Sequence, residues 1–505
     1  MPYRLKSHRL KPFKNFACVV SAAALIALAP AVSLAAGSVT FGQPVEPAGL
    51  DPTVGSAVAS GEVTWQNIFE GLVAVDRDGN IVPQLATDWT ISDDGLSYTF
   101  NLRPDVTFHN GVAFDSSVAK FTIERIISDD STNGQKAYYT VIESVDTPDS
   151  GTVVLHLSRP SSNLLYWLGF PTAVMVEPSS VETNKSAPVG TGPFKFDEWR
   201  KGDRVLMSAY DGYWGEKPAL DAVTARFISD PQAQAAAIMS HDVDVFGKFE
   251  APELFANFKS DDSLTTHVGV GEMEVIAGMN NQRPPFDDIR VRQALMMAVD
   301  RPTLIQGVES GFGTPIGSHF SPASPYYVDL TDEYSMNLEK AAELLAEAGY
   351  PDGFEFTMKV PTRSYATRSA EILQALFLQI GVMAKIESSD FPATWIQDVF
   401  KDTNYDMTII GHAEALDIGI YARHPYYFNY NNPEFDAVMH EIDAAVTPEA
   451  RAEGFKKAQK IIAHDMPALF LYSAPKLSVW DAKLTGVWEN GPVPSNDMTD
   501  VRWTQ

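Results

Sequence analysis

Between Gly411 and Tyr430 the sequence reads GHAEALDIGIYARHPYYFNY, which gathers His412, Glu414, Asp417, Arg423, His424 and five aromatic residues into twenty positions. Imidazole beside carboxylate offers proton transfer or metal ligation, a guanidinium binds carboxylate, and phenols such as Tyr427 and Tyr430 stack on apolar faces while bonding hydroxyls. The spacing narrows the choice. His-x-Glu lacks the i, i+4 separation that sets two ligands on one helix face, and no second histidine pair supports it, so no protein-only metal site is expected.

Catalytic cues are absent elsewhere. There is no Gly-x-Ser-x-Gly elbow and no phosphate loop ending in Gly-Lys-Ser/Thr, and these are the strongest sequence marks of serine hydrolases and nucleotide-binding enzymes. GFGTPIG at 311–317 places its third glycine one residue too far for a dinucleotide fingerprint and runs into SHFSPASPYY, a turn-rich loop. The reading is of a binding protein with no catalytic residues and no cofactor; a secreted hydrolase is the alternative class.

What positions the stretch is a strand. YDMTIIG precedes it directly, and FEFTMKV and VMAKIES read as further strands between two helical segments. In NLEKAAELLAEAGYP, Asn337 caps the helix, Ala341, Leu344, Leu345 and Ala348 share a face, and Gly349 with Pro351 ends it. RSAEILQALFLQIGV repeats the design and stops at Gly381. Alternating helices and strands predict an α/β lobe, and loops at the carboxyl ends of such strands form ligand crevices. From Leu72 to Gly111 the pattern is β instead: DRDGN and SDDGL are turns, and Tyr98, Phe100 and Leu102 alternate with polar residues.

Arg4, Lys6, Arg9, Lys11 and Lys14, followed by ACVVSAAALIALAPAV and SLAAG, have the layout of a secretory signal peptide cut after Ala35. Cys18 is the only cysteine and lies at the start of the apolar run, which predicts a mature chain without disulfides or thiolate chemistry. Without residues 1–35, 33 Lys plus Arg stand against 65 Asp plus Glu, a net charge of −32. Such a surface repels phosphate backbones, so nucleic acid is not an expected partner.

VGTGPFKFDEWRKGDRVLMSAYDGYWGEKPALDAVTARFISDPQAQAAAIMSHDVDVF, Val189 to Phe246, resembles the most distinctive block of the family 5 extracellular solute-binding proteins of ABC importers. DWTISDDGLSYTFNLRPDVTFHNGVAFDSSVAKFTIERI, NNQRPPFDDIRVRQALMMAVDR and AAELLAEAGYPDG extend the resemblance along nearly the whole mature chain. It implies a two-lobed periplasmic binding protein-like II fold of the large, cluster C type, with an extra β-rich subdomain. Lobe I would comprise residues 36–70, 186–275 and 470–505, the subdomain 71–185, and lobe II 276–469. Both crossings, near MEVIAGMNN and DMPALFLYS, would be strand hinges.

The resemblance further implies a monomeric periplasmic receptor that passes a small ligand to an inner-membrane permease with ATPase subunits. In dipeptide-binding relatives a Gly-Trp-x-x-Asp pattern supplies an aspartate for the peptide amine, and an arginine before the preceding helix holds the carboxylate. Arg363 in PTRSY matches that arginine; His412 takes the tryptophan's place and Ala415 the aspartate's, with Glu414 and Asp417 alongside. The expected ligand is a small peptide-like zwitterion bound by Arg363, His412, Glu414, Asp417, Arg423, Tyr427 and Tyr430, with an opine, oligosaccharide or chelated nickel as alternatives. Tyr213 and Trp214 are read as packing residues. N-terminal sequencing of the exported protein is expected to begin at Ala36; an intact Met1 or an acylated terminus would overturn the signal assignment.

Overall fold

Two long strands, Leu264–Met279 and Ala468–Asp481, pair antiparallel from Leu264 against Asp481 to Gly278 against Ala468 and organise everything around them. The computed structural model describes residues 37–55, 58–413 and 416–504. The signal segment and Glu414 therefore lie outside the described residues.

The two strands run through both halves of the molecule because their ends have different partners. Near Val479 and Trp480 the second strand takes Val245–Phe246 as its neighbour, which leads into Ser38–Gln43, lying parallel to Ala222–Phe227. Arg204–Ala209 and Phe194–Arg200 complete that side. At the other end Glu274–Met279 pairs with Met407–His412, followed by Glu355–Pro361 and Met383–Ser389, both in parallel register.

Parallel neighbours need a crossover. The helix Ser364–Leu378 supplies one, burying Ala366, Ala370, Leu373 and Phe377 at helical spacing. Asn337 caps Leu338–Glu347 by accepting from the Lys340 N–H, and Gly349 leaves the helix at φ +96°. The β-rich part is a four-stranded antiparallel sheet in the order Ala86–Ile91, Ser97–Leu102, Thr152–Leu157, Ile142–Asp149, backed by the Asp115-capped helix Ser116–Ile127. Two large cores result, one on each side of the crossing, and Leu416 packs against both.

The crossing pair is not regular. Between the Val270/Pro475 and Glu274/Ser473 pairs, Gly271, Glu272 and Met273 stand opposite Ala474 alone. Such an insertion bends a strand and re-aims its side chains. The side-chain hydroxyls of Ser321 and Ser473 donate to the Gly271 carbonyl at 2.7 and 2.8 Å and hold the bulge in place.

The Val189–Phe246 block closes on a buried carboxylate. Glu70 accepts from Thr191 Oγ1 at 2.7 Å, Trp214 Nε1 at 2.8 Å and Tyr213 OH at 2.9 Å. Burial pushes its carboxyl up to about 7 against the pull of these donors. Tyr213 and Trp214 thus pack and bond within lobe I. The Gly190 backbone lies so close to Ile68 that a Cβ would stand 1.9 Å from the Ile68 carbonyl oxygen. Overpacking of this kind costs about 1–3 kcal/mol, so Gly190→Ala is expected to lower the denaturant midpoint accordingly, and an unchanged midpoint would contradict the packing described.

Candidate ligand-binding cleft

A cavity of about 570 Å³ lies where the bulge, the β-rich subdomain and lobe II meet. The subdomain contributes Trp89, Tyr98 and Tyr166; lobe II contributes Tyr326, Leu416 and Arg451; the bulge contributes Glu272. Four aromatic rings stand among otherwise aliphatic and small polar walls, and two of the phenols are anchored: Tyr98 donates to the Ser161 carbonyl at 3.0 Å and Tyr166 to the Pro492 carbonyl at 3.1 Å.

The two charged residues of the cavity face different situations. Arg451, near the start of the helix Pro448–Asp465, donates from Nη1 to Tyr326 OH at 2.9 Å and from Nη2 to Asn163 Oδ1 at 2.5 Å. Both acceptors are neutral, its Nε has no partner, and it makes no ion pair among the described residues. Glu272 makes neither a hydrogen bond nor an ion pair there, and desolvation pushes its carboxyl up to about 8. A ligand carrying an ammonium and a carboxylate would satisfy both.

Across the same region the β-rich subdomain touches lobe II. Arg159 pairs with Asp443 at 3.2 Å, and Ser162 donates through its backbone N–H to the Asp443 carbonyl and through Oγ to the Ile442 carbonyl. Arg423 adds a side-chain bond to Tyr138. These contacts clasp the subdomain to lobe II beside the cavity.

Of the residues named from sequence, Arg363 is exposed at the start of the Ser364–Leu378 helix, with its guanidinium carbon 4.9 Å from the Phe391 ring centre and no ion pair among the described residues. Tyr365, whose hydroxyl accepts from the Gly411 N–H at 3.0 Å, feels the Arg363 charge and joins it to the strand end where His412 sits. His412 faces inward: Nδ1 meets Asp417 Oδ2 at 2.6 Å and Nε2 meets Tyr427 OH at 2.8 Å. Burial opposes ionisation of Asp417, but the facing imidazoles of His319 and His412 outweigh it and hold the carboxyl at about 2.

Asp417, Tyr427 and Tyr430 therefore differ from expectation. All three are buried in lobe II, where Tyr430 OH donates to Asp465 Oδ2 at 2.6 Å. A buried carboxylate or phenol needs a partner, and each finds one within its own lobe. Arg423 reaches the subdomain, and His424 turns outward to Asp436 at 3.0 Å, far from any shared centre with His412. Sequence reasoning passed over Glu272, Glu274, His319, Tyr326 and Arg451. For the two glutamates a signal existed: GEMEVIAGM is an apolar strand interrupted by acids at alternate positions, and acids are rarely buried without purpose.

The pattern of the bacterial extracellular solute-binding proteins, family 5 Middle, matches residues 80–434. The chain belongs to this family. It is 28% identical over 466 residues to the glutathione-binding protein GsiB of Salmonella paratyphi A, covering 88% of this chain and 89% of that protein. With the glutathione-binding protein GsiB of Pectobacterium atrosepticum the identity is 30% over 450 residues, 84% of this chain and 86% of the relative. Among solved structures, the periplasmic binding protein AgaA of A. tumefaciens R10 in complex with agropinic acid superposes with a TM-score of 0.74 at 26% identity, over 93% of this chain and 99% of that one. HbpA2 of Haemophilus parasuis shares the fold with a TM-score of 0.83 at 22% identity, over 93% and 100% of the two chains.

This family 5 protein is thus a solute-binding component of an ABC importer, with two lobes and a β-rich subdomain. The clasp makes a prediction about its resting state. Truncating Arg451 to Met removes its bonds to Asn163 and Tyr326, so small-angle scattering of the ligand-free variant should give a larger radius of gyration than the parent; equal radii would show that Arg451 does not hold the lobes together.

Proposed function

We propose that this protein binds a small peptide-like zwitterion in the interlobe cavity and delivers it, unchanged, from the periplasm to an inner-membrane permease powered by ATPase subunits. The observation that carries the reading is the pair of Glu272 and Arg451 in one cavity, each without an ion-pair partner among the described residues. The resemblance to glutathione-binding proteins points to the same ligand class. Arg363, exposed and without an ion pair among the described residues, is a further anchor for a ligand carboxylate.

In this reading lobe I is formed by residues 36–70, 186–275 and 470–505, and lobe II by 276–469, with 71–185 as the subdomain. Residues 1–35 are removed on export, and the mature protein acts as a monomer without a catalytic step. Ligand contacts to both lobes at once supply the free energy for hinge closure about the crossing strands. An opine is the second reading, favoured by the tyrosine and tryptophan walls and by the likeness to AgaA with its agropinic acid.

Isothermal titration of glutathione, a set of dipeptides and agropinic acid separates the two, and recovery of the ligand intact tests the absence of turnover. For a zwitterion, Glu272→Gln, Arg451→Met and Arg363→Ala should each strand a ligand charge at a cost of ~2–5 kcal/mol, roughly thirty-fold to several thousand-fold in affinity. An ammonium needs Glu272 ionised, so binding should release up to one proton and weaken as pH falls below about 8, by at most about tenfold per pH unit. A pH-independent affinity, or one unmoved by all three substitutions, would exclude the zwitterion. If the ligand is sugar-bearing, Tyr326→Leu and Trp89→Leu should cost more than the charge substitutions.

A further inference from the structure

Two segments remote in sequence, one carrying His319 and the other His412 and Asp417, bring these side chains together inside lobe II, outside the lining of the cavity that carries Glu272 and Arg451. One potential ligand atom from each lies within 4.8 Å of the others. His412 Nδ1 stands 2.6 Å and His319 Nε2 3.7 Å from Asp417 Oδ2, and the two imidazole rings meet edge to face at 4.9 Å between centres. His319 and Asp417 side chains are at most 2% exposed, and that of His412 is 12% exposed.

The cluster is arranged from outside in. The outer nitrogen of each ring has a phenol: His319 Nδ1 meets Tyr421 OH at 3.0 Å and His412 Nε2 meets Tyr427 OH at 2.8 Å. Metal-ligating histidines use their second nitrogen in this way, which sets tautomer and ring orientation. The atoms left facing the centre, His319 Nε2 and Asp417 Oδ1, are buried and make no hydrogen bond among the described residues. A purely structural network would be expected to spend them.

Beside the cluster stands Glu274, directly opposite His412 in the antiparallel ladder and therefore on the same sheet face. Its Oε2 is also buried and unpartnered among the described residues, and burial, with the charges of Glu272 and Asp417, pushes its carboxyl well up. Two imidazoles and the Asp417 carboxylate form a mixed nitrogen and oxygen donor set, and Glu274 adds an oxygen beside it.

We propose that His319, His412 and Asp417 form a site for one divalent transition-metal cation, with Glu274 beside it. Two imidazoles and a carboxylate suit zinc, cobalt or nickel rather than calcium or magnesium. Tetrahedral ligands bound at about 2.0–2.1 Å lie roughly 3.3 Å apart, a spacing that the present separations bracket, so small side-chain rotations suffice. An ion on His412 Nδ1 leaves the single proton of the neutral ring on Nε2, where it faces Tyr427 OH. The ion would fasten the 318–321 segment, the end of Met407–His412 and the turn after Leu416, which together back the lobe II wall of the cleft next to the bulge.

The test uses the full mature chain, stripped with chelator, and Zn²⁺ alone with no solute. Titration should find one equivalent, and Co²⁺ should give the intense visible band of a low-coordinate, nitrogen-ligated ion in the parent protein, which needs no variant. His319→Ala and Asp417→Asn, checked for folding by circular dichroism, should weaken Zn²⁺ binding by at least about tenfold, while His424→Ala, at the exposed pair with Asp436, should not. Substoichiometric Zn²⁺, a Co²⁺ spectrum like that of the hydrated ion, full affinity in His319→Ala, or loss of binding in His424→Ala would each overturn the proposal.

Discussion

The structure depends on the antiparallel pairing of Leu264–Met279 with Ala468–Asp481. Each strand contributes buried side chains to cores on both sides of the crossing, so the same hydrogen-bonded ladder serves as the centre of one sheet and as the link between lobes. A two-strand link resists stretching and shear but bends. The bulge at Gly271–Met273 concentrates that bend at one point and turns Glu272 out of the sheet into the cavity, so the hinge and a cleft charge come from one irregularity.

Three carboxylates, Glu70 and Asp417 buried and Glu272 half-buried, illustrate how an acid-rich chain distributes the cost of desolvation. Glu70 receives three side-chain donors and knits the glycine turn at 190–192 to lobe I. Asp417 lies between two imidazoles and stays ionised. Glu272 has no donor among the described residues, and desolvation lifts its carboxyl to about 8. Burial of a polar group without a partner is unfavourable by ~1–3 kcal/mol or more; at Glu272 that cost is carried where a ligand can relieve it. Stability and binding are therefore coupled at the cleft, whereas at Glu70 the polar group is wholly structural.

The aromatic-rich stretch after Met407–His412 serves mainly the lobe II interior. Tyr421 and Phe428 stack at 4.8 Å, Tyr427 and Phe428 pack at 4.1 Å, and His412 lies over Tyr427 in a nearly parallel arrangement. Leu416 and Arg423 are the residues of the stretch that reach across, one into both cores and the other to Tyr138. A rigid wall of rings behind a few reaching side chains gives the cleft a fixed surface on the lobe II side.

Sequence by itself determined the local elements and the family. Helix stops at Gly349 and Gly381, the Asn337 cap, and the strands YDMTIIG, FEFTMKV and VMAKIES were legible because each depends on neighbours a few residues away. The Val189–Phe246 block was legible for the same reason, its close glycines and paired aromatics being tied to one compact part of the fold. Which side chains line the cleft was not. Tyr427 and Tyr430 have the composition of a binding loop, but phenol and carboxylate serve equally in a core once a partner is near, and their partners His412 and Asp465 are placed by the fold. Glu272 and Arg451 are 179 positions apart in the sequence and converge on one cavity because the crossing strands bring the β-rich subdomain against lobe II; that convergence, and the bulge that turns Glu272 toward it, are long-range consequences of strand register that no local spacing encodes.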